Sequence, residues 1–573
     1  MTPGAYFLHQ TLKGLLLPAC IATGATQVLA GLTGRVSFTF YWPIWIISFF
    51  FILWGSTVLS SMREYHEIRR LGACKIPEIS GKWPGNIDII LRRLKHGKDG
   101  YPFDTMDAIN RKYGKIFNMR ILGEDRIVTI CPSHVKTVLA TGFENWEKGS
   151  RFSRQMGSVL GEGVFNVDGD LWKYHRSTTR PFMSRARVTD FNVFGLYADE
   201  AVDICRSFEG AALDFQDLAL RFTLDTATEF LFGKCAHALR HASDHSKTTT
   251  TNAFGNAFRN VQHHLAQRSR AAPLWPLQEI FKDRTSRDMA VIRSFIDPII
   301  AHALARRREA LNKQEVSSEA EAPTLLDHLV TQFEDPKLII DETLNLLVAG
   351  RDTTASLLTF AVYLLASHPD VLARLREEVL GKVDRLRRPD IDDLKELPFL
   401  RAVINETLRL YPPVPANVRS PVKATTLPPV EPNSPPYYIP EGAKVPFPII
   451  VIHRSKDLWG PSADQFDPGR FLDERKKYLL AEPFMFLPFG AGPRTCLGQQ
   501  FAYHEASFFL IRLLQTFSRI ELDDEAQPAE SMPPSHWKQQ NGRARLERRW
   551  PKAELNMYIK GGLWLRLFED TER

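Results

Sequence analysis

At 573 residues, 44% of them hydrophobic and 24% charged, the chain has the composition of a globular protein with a sizeable core. The formal charge of +7 suits acidic partners or a membrane surface, but no basic block with interleaved aromatics appears, which excludes a nucleic-acid binder. The six cysteines are scattered without C-x-x-C pairs and the sixteen histidines without zinc spacing; an even cysteine count permits disulfides, yet the wide spacing and large size argue for reduced thiols facing the cytosol.

In chain order, the first apolar run is Gly14 to Gly34, interrupted by Pro18, Gly24 and Gln27. It could span a bilayer, lie in its interface or re-enter, and the sequence leaves all three open. Val36 to Met62 is different: it carries no charge and exceeds the ~20 residues that span a bilayer. Trp42, Trp45 and Trp54 suit the interface, and Arg63, Arg69, Arg70 and Lys75 place its C-terminal side in the cytosol. Residues 1–35 therefore read as a weakly hydrophobic segment, 36–62 as a transmembrane anchor, 63–86 as a hinge punctuated by Pro77, Gly81, Pro84 and Gly85, and 87–573 as the catalytic domain.

Ile116 to Ile130 holds two short strands about Gly123-Glu124-Asp125. A turn at Asp168-Gly169 precedes a helix on which Trp172 and Arg176, four apart, share a face. His175 reads as a satisfied residue rather than a metal ligand, either at the surface or beside whatever Trp172 and Arg176 hold, and Lys173, Arg176 and Arg180 as a basic face for an acidic partner. Phe191 to Phe295 is helical and irregular, with His241 to Asn252 and His263-His264 as solvated loops; Asn312 to Thr324 is a polar connector. Lys337 to His368 is a Pro-free helix of roughly 30 residues, about 45 Å long. Its middle, Ala349-Gly350-Arg351-Asp352-Thr353-Thr354, holds glycine and threonines that cost helix propensity, about 1 kcal/mol for the glycine. Such local disfavour in a buried element marks a site.

Leu397 to Tyr411 is an amphipathic helix that sets Glu406 and Arg409 on one face. A proline-rich stretch follows, with a turn at Ile439-Pro440-Glu441-Gly442 joining two short strands. Phe489-Gly490-Ala491-Gly492-Pro493-Arg494-Thr495-Cys496-Leu497-Gly498 is a turn-rich loop that ends where a helix begins. A helix N-terminus favours a thiolate at Cys496, and flanking glycines admit a flat cofactor. Asp523 to Lys552 is polar and irregular and carries no functional reading; Glu554 to Leu567 returns as alternating strand.

The cysteine loop resembles the haem-binding signature F-x-x-G-x-R-x-C-x-G of the cytochrome P450 superfamily, with Phe489, Gly492, Arg494, Cys496 and Gly498 at the fixed positions. The run on through Phe501-Ala502 is most similar to the fungal alkane- and fatty-acid-hydroxylase branch. Trp172 and Arg176 match the family's W-x-x-x-R pair for a haem propionate, and Ala349, Gly350, Asp352 and Thr353 match its A-G-x-D-T dioxygen groove. Glu406, Arg409 and Arg470 match its structural Glu-Arg-Arg triad, with Gly469 a departure from the residue often found before the last arginine.

The resemblance implies a mainly α fold with small β-sheets and an N-terminal anchor, haem b ligated by Cys496, and proton delivery to dioxygen by Asp352 and Thr353. It implies a monooxygenase that inserts one oxygen atom of O2 into an unactivated C–H of a lipophilic substrate, a fatty acid or alkane foremost. By analogy, Ala416, Asn417 and Val418 would face that substrate, and Leu344, Leu347, Val348 and Ala349 would wall it. With no flavin or dinucleotide motif in the sequence, electrons come from a separate NADPH–cytochrome P450 reductase, with cytochrome b5 as a second donor, at the cytosolic face of the endoplasmic reticulum membrane. Rival readings are an aromatic, xenobiotic or terpenoid hydroxylase, a haem-thiolate isomerase or dehydratase that uses no O2, and a non-enzymatic haem sensor. Asp352-Thr353 speaks against the last two.

Overall fold

The computed structural model describes residues 2–33, 38–183, 191–241, 250–312, 324–333 and 335–570. Its α-helices of eight residues or more are, in order, α1 (Pro3–Thr33), α2 (Phe38–Arg70), α3 (Ile87–Asp99), α4 (Asp104–Tyr113), α5 (Ser150–Leu160), α6 (Gly169–Thr179), α7 (Phe191–Ser207), α8 (Phe215–Phe232), α9 (Thr250–Arg270), α10 (Ser286–Asn312), α11 (Leu325–Gln332), α12 (Pro336–Ser367), α13 (Pro369–Lys382), α14 (Pro398–Leu410) and α15 (Gln499–Thr516). Among the described residues, twelve short strands form five antiparallel sheets of two or three strands each. The architecture is mainly α with small sheets, as expected.

The long helix α12 is the axis. Asp335 caps its start by accepting from the Lys337 N–H at 2.8 Å, and Pro369 opens the next helix directly beyond it. From Ala355 to Leu365 it is buried on every side, packed against α8, α14 and α15 in one apolar core. A helix apolar all round can only be central.

The expected hairpin is present: β1 (Ile116–Asn118) pairs antiparallel with β2 (Ile127–Thr129). The Pro440–Gly442 turn, by contrast, joins strands of different sheets, because β7 (Tyr437–Ile439) pairs with β6 (Thr425–Leu427) while β8 (Val445–Phe447) pairs with β5 (Asn417–Pro421). The last stretch is two strands rather than one, β11 (Met557–Ile559) and β12 (Trp564–Glu569), because Gly561 and Gly562 both take positive φ between them. His263 and His264 lie on α9 and not in a loop, and His263 pairs with Glu554 at 2.6 Å. Of the other polar stretches, residues 242–249 and 313–323 lie outside the described residues.

α2 carries Ile47, Phe50, Phe51 and Trp54 exposed, and Trp45–Arg70 is the one helix among the described residues long and apolar enough to cross a membrane. Val36 and Ser37 of the expected anchor lie outside the described residues. Of the Gly14–Gly34 run, residues 14–33 belong to α1 and Gly34 lies outside the described residues; the first residues of α1 press on the turn at Ala272–Glu279, where a Cβ on Gly4 would stand 2.4 Å from the Pro276 carbonyl oxygen. The hinge is pinned at its far half, where Cys74 bridges Tyr437 and the Ile79 N–H donates to Asn118 O at 2.9 Å.

The Asp523–Lys552 insertion is folded into the domain. Glu547 accepts from the hydroxyls of Tyr101 at 2.8 Å, Tyr363 at 2.9 Å and Tyr411 at 2.6 Å, beneath the buried Trp537. Three phenols from three distant segments make a polar residue the insertion's anchor.

Candidate active site

The cysteine loop is held by its own backbone. The Cys496 N–H donates to Phe489 O at 2.9 Å, and the Thr495 N–H donates to Gly492 O at 3.0 Å. Gly492 sits at φ 69°, and a Cβ there would lie 1.8 Å from Leu139 O, so glycine is required twice over. The loop's inner side, with Phe489, Gly490, Thr495, Cys496 and Gly498, opens onto a cavity of about 660 Å³. Cys496 is the one cysteine that lines it; the fully enclosed Cys205 lies in the apolar core instead. The Cys496 side chain is exposed to that cavity, and desolvation by the protein around it raises the thiol above its ordinary value, against the pull of the Gly498 N–H and the Arg176 charge. A coordinating metal is what deprotonates such a thiol outright.

A group of cations faces the same space. Arg494 donates to Val167 O at 3.1 Å and to Asp168 at 2.6 Å, with its guanidinium over the Trp172 ring. Asp168 is thereby engaged from several sides, since it also accepts from the Lys148 and Gly149 N–H groups at 2.9 Å each. Arg176 donates to Thr495 O at 2.8 Å. It lines the cavity with Trp172, which takes it out of the expected docking face. Lys148 and Arg419 line it as well. The Nε atoms of Arg419 and Arg494 are buried without a partner. Burial and the neighbouring Arg494 push Arg419 down to about 9, and burial with Arg419 and Arg494 holds Lys148 well below its usual range. Idle buried donors beside a cavity-facing thiol fit a flat iron macrocycle carrying carboxylates.

On α12, Ala349, Gly350 and Thr353 line the cavity as expected. Thr353 Oγ1 donates to Ala349 O at 2.6 Å, which leaves its lone pairs for another donor. Asp352 points elsewhere. Its carboxylate accepts from Gln262 Nε2 at 2.5 Å and pairs with Arg351 at 3.0 Å, and it does not line the cavity. Adjacent helix positions are 100° apart, so an acid–alcohol pair in sequence need not face one way. Gln262 Oε1 in turn accepts from Asn556 Nδ2 at 3.3 Å, and Asn556 does line the cavity.

Behind the loop, Glu406, Arg409 and Arg470 are assembled in full burial. Arg409 donates to both Glu406 oxygens at 2.7 and 2.8 Å and to the carbonyls of His453 and Ala463 at 2.7 Å each; Arg470 Nε reaches Glu406 at 3.1 Å. His453 Nε2 accepts from the Leu487 N–H at 2.8 Å, at the entry to the cysteine loop. Burial and Arg409 push that imidazole down to about 3, so it is neutral and free to accept.

The family model described as cytochrome P450 matches residues 82–544. The chain belongs to the cytochrome P450 family. Among relatives, it is 34% identical over 501 residues to cytochrome P450 52A12 of Debaryomyces hansenii, covering 84% of this chain and 94% of that one. It is 36% identical to cytochrome P450 52A3-A of Candida maltosa, covering 78% and 85%, and 35% identical to cytochrome P450 monooxygenase himC of Aspergillus japonicus, covering 74% of each. The chain is an oxidoreductase of this family, closely related to the fungal alkane and fatty-acid hydroxylases.

In this cytochrome P450, Ala416, Asn417, Val418, Leu346, Val348 and Ala349 wall the cavity, whereas Leu344 and Leu347 turn into the apolar core. His175 is fully enclosed and stands 3.1 Å from Glu342, not at the surface. Three residues escaped the sequence reading. Lys148 and Arg419 lie on short segments with no motif of their own. Glu505 is a lone acid on the buried side of α15. Both of its oxygens lack a hydrogen-bond partner, and burial pushes it up to about 8, against the neighbouring Thr354 and Thr226 hydroxyls.

Proposed function

We propose that this cytochrome P450 is a membrane-anchored monooxygenase that hydroxylates a chain lipid, a fatty acid or alkane, at or near its far end. One observation supports the reading above the others: Cys496, Thr353 and an apolar wall share one cavity. Haem b, when bound, supplies the activation of dioxygen, and a thiolate ligand favours O–O cleavage. Cys496 would be that ligand. Arg494, Arg419, Lys148, Arg176 and Trp172 would hold the haem carboxylates, the two idle Nε donors taking the oxygens they lack.

Thr353 would position a water through its free lone pairs, within hydrogen-bond reach of the reacting atoms. Asp352, which accepts from Gln262 Nε2 outside the cavity, would orient Gln262 and through it Asn556 at the cavity wall. The wall of Leu346, Val348, Ala349 and Val418 excludes bulk water and offers a chain ~0.8 kcal/mol per buried CH₂. Electrons come from an NADPH-dependent reductase, as in the family. α2 would place the domain on the cytosolic face of the endoplasmic reticulum, with Arg63, Arg69 and Arg70 on that side and lipid-dissolved substrate close by.

Purified enzyme with reductase and NADPH, read by mass spectrometry, is expected to give terminally hydroxylated products from medium- and long-chain acids or alkanes. Turnover of a polycyclic aromatic with no product from any chain lipid overturns the substrate.

A further inference from the structure

The stretch from the end of α5 to the end of α6 is tied to α12 by side chains that no motif marks. Leaving α5, Gly161 to Asn166 form a turn that lies flat on α12. Three of its backbone N–H groups donate to three α12 side chains: Glu162 to Asp341 at 2.9 Å, Val164 to Glu342 at 2.8 Å and Phe165 to Asn345 at 3.0 Å. Asn345 donates in return to Leu160 O at 2.8 Å. The approach leaves no room for side chains in the turn. A Cβ on Gly161 would run into the Asp341 carboxylate, and one on Gly163 into the Asn345 amide.

Glu342, itself fully enclosed, grips the far end of the stretch as well. Its Oε2, which takes the Val164 N–H, stands 3.1 Å from His175 Nδ1. Its Oε1 lies 3.1 Å from Thr179 Oγ1, whose single proton it shares with His175 O at 2.9 Å. Among the described residues no lysine or arginine pairs with Glu342. A buried carboxylate is costly unless other groups meet it, and here an N–H, a hydroxyl and an imidazole do so. Between its two grips lies the set around Asp168: Val167 O and Asp168, which take Arg494, and then Trp172 and Arg176, which line the cavity. On α12, Glu342, Leu346, Ala349 and Thr353 follow at spacings of four, three and four. They share a face, and the last three line the cavity.

We infer that Glu342 is a positioning residue for the haem seat. By gripping Val164 and Thr179 it fixes Asp168, Trp172 and Arg176 against the helix that carries Ala349 and Thr353, so the carboxylate holders and that wall of the cavity move as one body. Glu342 does not line the cavity and acts only through the stretch it holds. Hydrogen bonds weaken steeply as they lengthen and bend, so a small turn of α6 would weaken its haem contacts together. The inference rests on the assignment of Arg494, Trp172 and Arg176 to the haem carboxylates, and adds the residue that sets where they stand.

Transfer of haem from the loaded enzyme to a haem-free globin, followed by absorbance, tests this without turnover. Arg176→Gln and Glu342→Met should each speed haem loss about tenfold, the worth of about one hydrogen bond. The double variant should fall well short of the roughly hundredfold that independent sites would give, because Glu342 acts through the holders. Glu342→Gln keeps an oxygen for the Val164 N–H and should recover most of the wild-type retention. Thr179→Val releases one grip and should give a severalfold rise; it decides the matter if Glu342→Met yields too little folded protein. Leu344→Ala opens a hole in the apolar core on the same helix, and should lower the unfolding midpoint while haem loss stays near the wild-type rate. Wild-type haem loss in Glu342→Met and Thr179→Val, independent effects in the double variant, or equal acceleration in Leu344→Ala overturns the positioning role, while a fast Arg176→Gln leaves the holders standing. Wild-type haem loss in Arg176→Gln overturns the holders and the inference together.

Discussion

The triad behind the cysteine loop and the cations in front of it use the same residue types and satisfy them in opposite ways. Arg409 spends its Nε and both Nη groups on Glu406 and three carbonyls, all within 3.1 Å. Arg419 and Arg494 keep a buried Nε idle, and Arg93, which also lines the cavity, keeps an idle Nη1. A buried guanidinium with every donor used is framework; one with idle donors beside a cavity is a binding surface. An unmet buried donor costs about 1–3 kcal/mol, so the front of the loop carries a strain that a bound anion would relieve.

The largest effect that tests this contrast is on the framework side. Glu406→Ala leaves Arg409 and Arg470 buried without their anion, a loss of about 3–5 kcal/mol, comparable with the whole stability of a domain. Thermal unfolding should show little folded protein at ambient temperature. A midpoint within a few degrees of wild type would break the contrast from that side.

Cys496→Ala should instead keep the fold, read by circular dichroism, while abolishing the thiolate-specific spectrum of the reduced carbon-monoxide complex. Persistence of that spectrum would move the ligand to another cysteine.

Glu505 sharpens the comparison with pH. Its folded value of about 8 lies above the ordinary carboxyl value of 4.5, so its contribution to stability is fully present below about pH 4.5 and is lost as pH rises through about 8. The swing is about a few kcal/mol, at 1.36 kcal/mol for each pKa unit. Denaturant titrations across that window should show a falling stability that Glu505→Gln flattens. Parallel slopes for the two proteins would mean that the carboxyl is met by a donor.

The smallest effect belongs to the front cations. Arg419→Gln should leave the stability of the haem-free protein within about 1 kcal/mol of wild type, since no ion pair is broken. Haem retention on gel filtration should fall severalfold. A large loss of stability with haem retention intact would place Arg419 with the framework.

The sequence alone determined the parts of this protein that are local in the chain. The cysteine loop ends where α15 begins because its glycines and proline forbid an earlier helix. Glu406 and Arg409 meet because positions three apart on a helix are neighbours, and α2 is apolar over a length that suits a bilayer. What faces what was settled only by tertiary packing. Asp352 and Thr353 are adjacent, yet one faces Gln262 and the other the cavity, because the 100° between them is resolved by where α9 lies. Lys148, Arg419 and Arg494 come from three distant segments, as do Arg93, Arg126 and Arg270, and no periodicity links them. The surroundings that desolvate the Cys496 thiol and raise its affinity for a proton come from the same packing, which a sequence does not display.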